Sequence, residues 1–243
     1  KCKKVFQAHD DWIWDLKHYF YNKVLYVAAS SYDQSISIWN TSNEMLVCKI
    51  PMNGRVLSIE FTNNGNLWAI TDLGIIEIYK IDFINNRFYK LCHADLNKQF
   101  NCKCRKLKII NDSLETTTAL VLAETTKNRP IVINIKILGK DKLQITECTD
   151  ISGLVPDSVF LRAIDVLDSD RNRTYLIAGN YDDEKKSEFA LVYDGTNNHS
   201  VLANDRENEN NSGISACILF NYKNNLYAAT TAYSYSMCIY RVE

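Results

Sequence analysis

Three groups of residues in this chain have types and spacings that could do chemistry. Cys92, His93, Cys102 and Cys104 combine thiols with an imidazole, the donor set that suits zinc. Their order, Cys-His followed nine residues later by Cys-x-Cys, matches no usual finger, so they read as loop and edge-strand residues of a reduced protein, with no metal. His9 lies near Asp10, Asp11 and Asp33, a histidine–carboxylate grouping of the kind used in acid–base catalysis. No Gly-x-Ser-x-Gly elbow or phosphate-binding glycine loop accompanies them, so no catalytic residue and no cofactor is assigned, and the chain reads as a non-enzyme. Lys103, Arg105, Lys106 and Lys108 form a short basic cluster beside Phe100, which would suit phosphate pairing with base stacking. The competing reading is a solvated strand face, and the acidic stretch 205–209 offsets the cluster's positive charge.

The totals narrow the partners. Against 29 acidic residues stand 28 basic ones, a formal charge of −1, so no global field draws the chain to nucleic acid or an anionic membrane. No apolar run approaches the ~18–20 residues that span a bilayer, and residues 1–11 lack the apolar region of a signal peptide. An intracellular protein of the cytoplasm or nucleus is expected. The sequence opens on Lys1 instead of Met, and further sequence upstream is expected. Eight cysteines are an even count, but several lie in strand-like runs such as 45–48 and 216–219, where Cys acts as a small hydrophobe; free thiols are expected.

The elements that must position these residues are strands. Short runs rich in β-branched and aromatic residues recur throughout, at 24–29, 36–39, 56–61, 75–79, 119–123, 131–135, 175–178, 189–193, 214–220, 226–229 and 237–240. Clusters of Asn, Asp, Gly, Ser and Lys separate them. Only 10–21 carries helical spacing, with Trp12, Ile13, Leu16, Tyr19 and Phe20 on one side, and it reads instead as loop plus strand.

The order within 8–40 is specific: Ala8-His9, a first strand, a small-residue second strand ending Ser30-Ser31, a turn holding Asp33, and a third strand closing on Trp39-Asn40. This segment resembles a WD repeat, with Ala-His for Gly-His and Trp-Asn for Trp-Asp. The resemblance implies an all-β propeller of four-stranded antiparallel blades. It also implies that His9, Asp33 and Trp39 form a hydrogen-bonded lock, with Ser30 or Ser31 as the hydroxyl, and that His9 is buried. Weaker copies follow, with third strands ending at Trp39, Tyr79, Ile135, Tyr193 and Tyr240, spaced by 40, 56, 58 and 47 residues. Only the first interval fits the family's period of about 40–45.

Five units are legible in a single domain over 1–243, fewer than the about seven blades common in such propellers, and the last has no fourth strand. An open blade would expose unpaired backbone. Residues 2–6 could supply the missing strand, a partner could supply it, or the chain could be part of a larger propeller; the last is the expectation.

Turn aromatics and arginines are the residues that most often anchor interfaces. Trp12, Tyr32, Tyr181, Tyr233 and Tyr235, with Arg55 and Arg129, fall in or beside loops of one expected face. Trp12, Tyr32, Arg55 and Tyr233 are assigned as partner-binding. The polar stretch 204–213 reads as a loop or linker. The expected function is a protein–protein scaffold within a multiprotein complex, with other protein subunits as partners and no membrane or small-molecule substrate. The alternative is an accessory RNA-binding subunit that positions substrate for a separate catalytic chain. Thiol titration under denaturing conditions should find eight reactive groups, and elemental analysis no stoichiometric zinc; metal lost on changing Cys102 and Cys104 would overturn this.

Overall fold

A computed structural model of the chain describes residues 5–113, 116–138, 142–156, 159–168, 173–181, 189–194, 199–202, 214–232 and 237–242. The fold is all-β, with five antiparallel sheets that follow one another along the chain. The first holds β1 (Ile13–Tyr21), β2 (Val24–Ser31), β3 (Ser35–Asn40) and β4 (Met45–Pro51). The second holds β5 (Val56–Phe61), β6 (Asn66–Thr71), β7 (Ile75–Asp82) and β8 (Arg87–Asp95). A one-turn helix, α1 (Leu96–Phe100), precedes the third sheet, which holds β9 (Cys102–Asp112), β10 (Thr116–Thr125), β11 (Pro130–Leu138) and β12 (Lys142–Asp150). The fourth holds β13 (Val159–Asp168), β14 (Arg173–Tyr181), β15 (Phe189–Tyr193) and β16 (His199–Val201), and the fifth β17 (Ile214–Tyr222), β18 (Asn225–Ala232) and β19 (Met237–Val242). Each sheet is a meander in chain order.

Stacking in series explains the apolar runs. Four separate cores lie between successive sheets, and a strand of an inner sheet feeds two of them. Leu67 and Ala69 of β6 face the first sheet, while Trp68 and Ile70 face the third. Two-sided burial removes the apolar–polar alternation of a one-sided strand, leaving β-branched and aromatic content as the signal. The 10–21 segment is loop to Trp12 and strand from Ile13, as its reading requires. Val5 and Phe6 form no strand; the Phe6 ring packs on Trp39 at 5.0 Å between centroids. The helix is not expected from sequence, although Asp95, which accepts from the Lys98 N–H, and the left-handed Asn101 (φ 50°) cap it.

Every first strand carries a β-bulge at the same place. The residues this bulge leaves without a ladder partner are Trp14, Leu57, Arg105, Arg162 and Ser215; β9 has a second irregularity, at Ile110. At the fourth rung beyond each bulge, β2, β6, β10, β14 and β18 pair with Trp39, Tyr79, Ile135, Tyr193 and Tyr240, so those five residues hold equivalent positions despite their uneven spacing. The outer sheets end the series with open apolar faces. Leu16 of β1 is 59% exposed, whereas its equivalents Ile59, Leu107 and Ile164 are 0%, 0% and 3% exposed. Ile218, Met237 and Ile239 are likewise exposed on the fifth sheet.

Along their inner edge the first strands meet through buried polar groups. One Asp15 carboxylate oxygen accepts from Lys106 Nζ at 2.7 Å, Ser58 Oγ at 2.9 Å and the Ile59 N–H at 3.3 Å. Asp15, Ser58 and Lys106 are equivalent positions in three sheets, each directly following the bulge. Two residues on, Lys17 pairs with Glu60 at 2.8 Å and Lys108 with Asp165 at 2.8 Å, while Asp165 also accepts from the Leu219 N–H. Burial lowers the Lys17 ammonium's pKa, but Glu60, Asp15 and Asp165 outweigh that and hold it above its ordinary value. Removing one member of such a pair strands the other. Asp15→Asn should therefore cost about 3 kcal/mol, seen as a lower denaturant midpoint at unchanged slope. Asp15→Leu combined with Lys106→Met should regain only part of that loss, because Ser58 Oγ and the Ile59 N–H then lack their acceptor. Unchanged stability in Asp15→Asn would contradict the role of this layer.

Candidate interaction surface around the inner cavity

The loop that enters the first sheet is pinned by His9, whose side chain is fully buried. His9 Nδ1 lies 2.9 Å from an Asp33 carboxylate oxygen, and Nε2 lies 2.8 Å from Ser37 Oγ and 3.2 Å from the Ala29 carbonyl. Ser35 Oγ donates to the other Asp33 oxygen at 2.5 Å, and Lys49 Nζ approaches at 3.2 Å. His9 and Asp33 thus meet, but the rest of the expected lock is corrected. The hydroxyl on His9 Nε2 is Ser37, one strand over; Ser30 bonds the Asp15 backbone and Ser31 the Asp11 carbonyl and Asp33 N–H. Trp39 is not a member, because its Nε1 has no partner among the described residues and its ring packs on Phe6.

This pinning places the loop aromatics. The Trp12 carbonyl accepts from the Tyr32 N–H at 3.0 Å, and at the equivalent position of the second sheet the Arg55 carbonyl accepts from the Asp72 N–H at 3.0 Å. Trp12 and Arg55 each stand two residues before a bulge, as do the exposed Lys103 and Phe160 in the next two sheets. Gly54 has φ 103°, and a side chain there would strike the Asp72 carboxylate that accepts from the Arg55 N–H. Trp12, 70% exposed, stacks on Tyr32 at 6.0 Å between centroids. Trp14 stacks on the same ring at 5.0 Å, and the Arg55 guanidinium stands over it at 5.0 Å. Tyr233 and Tyr235 lie outside the described residues, as do the stretches 204–213 and 205–209. Arg129 lies elsewhere, 3.9 Å from Asp150.

Beneath the cluster is a cavity of about 580 Å³ lined by Trp12, Ile13, Trp14, Tyr32, Lys106, Arg162 and Ser215. Three of these, Trp14, Arg162 and Ser215, are bulge residues, re-aimed by losing their ladder partner. Arg162 Nε is buried without an acceptor among the described residues. Sequence reasoning missed Trp14, Arg162 and Ser215 because a bulge leaves no mark in a run of strand-forming residues.

The basic cluster divides differently from its sequence reading. Arg105 pairs with Glu124 at 2.6 Å, Lys106 with Asp15 and Lys108 with Asp165, which leaves Lys103 as its exposed cation. Phe100 packs inward on the second core. Cys102 and Cys104 are buried in that core, and Cys92 packs against it. No group of three or more His, Cys, Asp or Glu among the described residues is placed to hold a metal. No helix among them is long and apolar enough to cross a membrane. Neither a family model nor a curated protein matches the chain.

Burial raises the Asp33 carboxyl's pKa, but hydrogen bonds from Ser35 and His9, the His9 charge and Lys49 outweigh it and hold it well below the usual carboxylate range. A carboxyl depressed on folding contributes stability above its unfolded pKa of about 3.9 and loses it as pH falls further. Asp33→Asn should lower stability at pH 7 and flatten its decline below about pH 4. An acid-unfolding curve as steep as that of the unaltered chain would refute this.

Proposed function

We propose that the chain forms five blades of a WD-type β-propeller and serves as a protein–protein scaffold within an intracellular multiprotein complex. The recurrence of bulge, pairing register and core between five meanders supports reading each sheet as a blade. The exposed faces of the first and fifth sheets support reading them as part of a larger ring. The observation that carries the function is the cluster of Trp12, Tyr32, Trp14 and Arg55 at the mouth of the cavity, with Trp12 and Arg55 exposed. Tryptophan, tyrosine and arginine desolvate large areas for little rotamer loss, which is why they dominate binding energy at interfaces. The RNA-binding alternative draws less support, since three of the four cations in its cluster are already engaged by carboxylates.

Replacing Trp12, Tyr32 and Arg55 together by Ala should release the principal partner in co-purification while circular dichroism stays unchanged. Trp12→Ala with Arg55→Ala alone, both exposed, should change stability by under about 0.5 kcal/mol each and still weaken capture. Retention of the partner by the folded triple variant would count against a scaffold acting through this surface.

A further inference from the structure

Among the described residues, the cavity wall holds two cations of unequal standing. Lys106 is engaged, since Asp15 holds its ammonium at 2.7 Å. Arg162 is not: its Nε is buried and no acceptor reaches it among the described residues. Arg162, freed from the ladder by the bulge, lines the cavity together with Trp12 and Trp14 of the first sheet. Ser215, also in the wall, directs its hydroxyl at the Thr231 carbonyl at 3.1 Å, so it offers neither charge nor a spare proton. Among the described residues, the cavity thus presents a guanidinium whose Nε no acceptor reaches, beneath an aromatic rim.

Resting on the scaffold function, we infer that the cavity receives a single carboxylate from a protein partner, held by Arg162 through charge-assisted hydrogen bonds. A planar guanidinium matches a carboxylate as a two-pronged pair, and one positive charge balances one negative charge. A phosphate carries about −1.5 to −2 at neutral pH and would call for a second free cation, which Lys106 does not supply. A nucleic acid strand would bring several phosphates to a wall with one open charge, and the rim rings already stack on one another instead of standing apart for bases. Trp12 and Trp14 fit the apolar residues flanking the acid. The acid is a Glu or Asp side chain or a chain end; the chemistry is shared.

Tryptophan emission of the intact chain, with Trp12 and Trp14 in the wall, reads occupancy directly. The probes are a capped Gly-Phe-Glu-Phe-Gly peptide, its Gln counterpart, the Gln peptide with a free C-terminal carboxylate, a phosphoserine counterpart and oligouridylate, titrated to millimolar concentration at low salt. Saturable binding of the Glu peptide or the free-carboxylate peptide, with tenfold or weaker binding of the capped Gln peptide, is expected; whichever carboxylate binds more tightly identifies the source. Arg162→Gln should lose that binding at least tenfold, and Arg162→Lys should keep part of it. Arg162→Met should leave the melting temperature of the free protein unchanged or raised, because it removes an unmet buried donor; a fall would mark Arg162 as structural and overturn the inference. Equal binding of both capped peptides, indifference to Arg162→Gln, no saturable binding by either carboxylate peptide, or tighter Arg162-dependent binding of phosphoserine or oligouridylate would also overturn it. If the triple rim variant releases the natural partner but Arg162→Gln retains it, the scaffold function stands and the carboxylate site fails. If peptide binding depends on Arg162 but the rim variant keeps its partner, the carboxylate site stands and the scaffold function fails.

Discussion

The organisation of this chain depends on opposite charges held against one another at the inner edges of its sheets. Asp15 alone accepts hydrogen bonds from the second and third sheets while belonging to the first. One step along the strands, Lys17–Glu60 and Lys108–Asp165 repeat the device between neighbours. Apolar stacking between sheets is tolerant of sliding, because a Leu or Ile can pack on many others with similar gain. A partly buried carboxylate is not tolerant: unless its partner arrives at hydrogen-bond distance, its desolvation goes uncompensated. The charges therefore select one register among those the cores would accept, and β1, β5, β9, β13 and β17 line up.

That alignment is why the bulges matter together. In one strand a bulge is a local kink with stronger twist. Repeated at one register in five strands, it sets Trp12, Arg55, Lys103 and Phe160 at matching heights, two residues ahead. Arg55 can lie over Tyr32 of the preceding sheet because the same kind of backbone hydrogen bond pins both loops.

Much of this is legible in the sequence where composition alone decides. The strand runs stand out because burial on both faces fills 119–123 with apolar residues, and the five third-strand ends chosen by pattern occupy one structural position. His9 meets Asp33, as the resemblance of residues 8–40 to a WD repeat implies. What fails is whatever depends on which atom faces which across a gap. Ser37 takes the hydroxyl role because it sits across the ladder from Ala29, facing the imidazole, whereas Ser30 is drawn to the Asp15 backbone. Trp39 turns to Phe6 instead. The basic cluster reads as one patch in the chain, yet its members are divided among Glu124, Asp15 and Asp165, residues 19, 91 and 57 positions away.

Trp14, Leu57, Arg105, Arg162 and Ser215 stand at the bulge their strands share, without a ladder partner. Exchange at Arg162 alters the cavity wall without removing a ladder pair, whereas Ser215 also ties its hydroxyl to the Thr231 carbonyl of the next strand. The cavity wall can therefore change at Arg162 by a single substitution while the ladder stays intact, and that position is where a designer could reshape it.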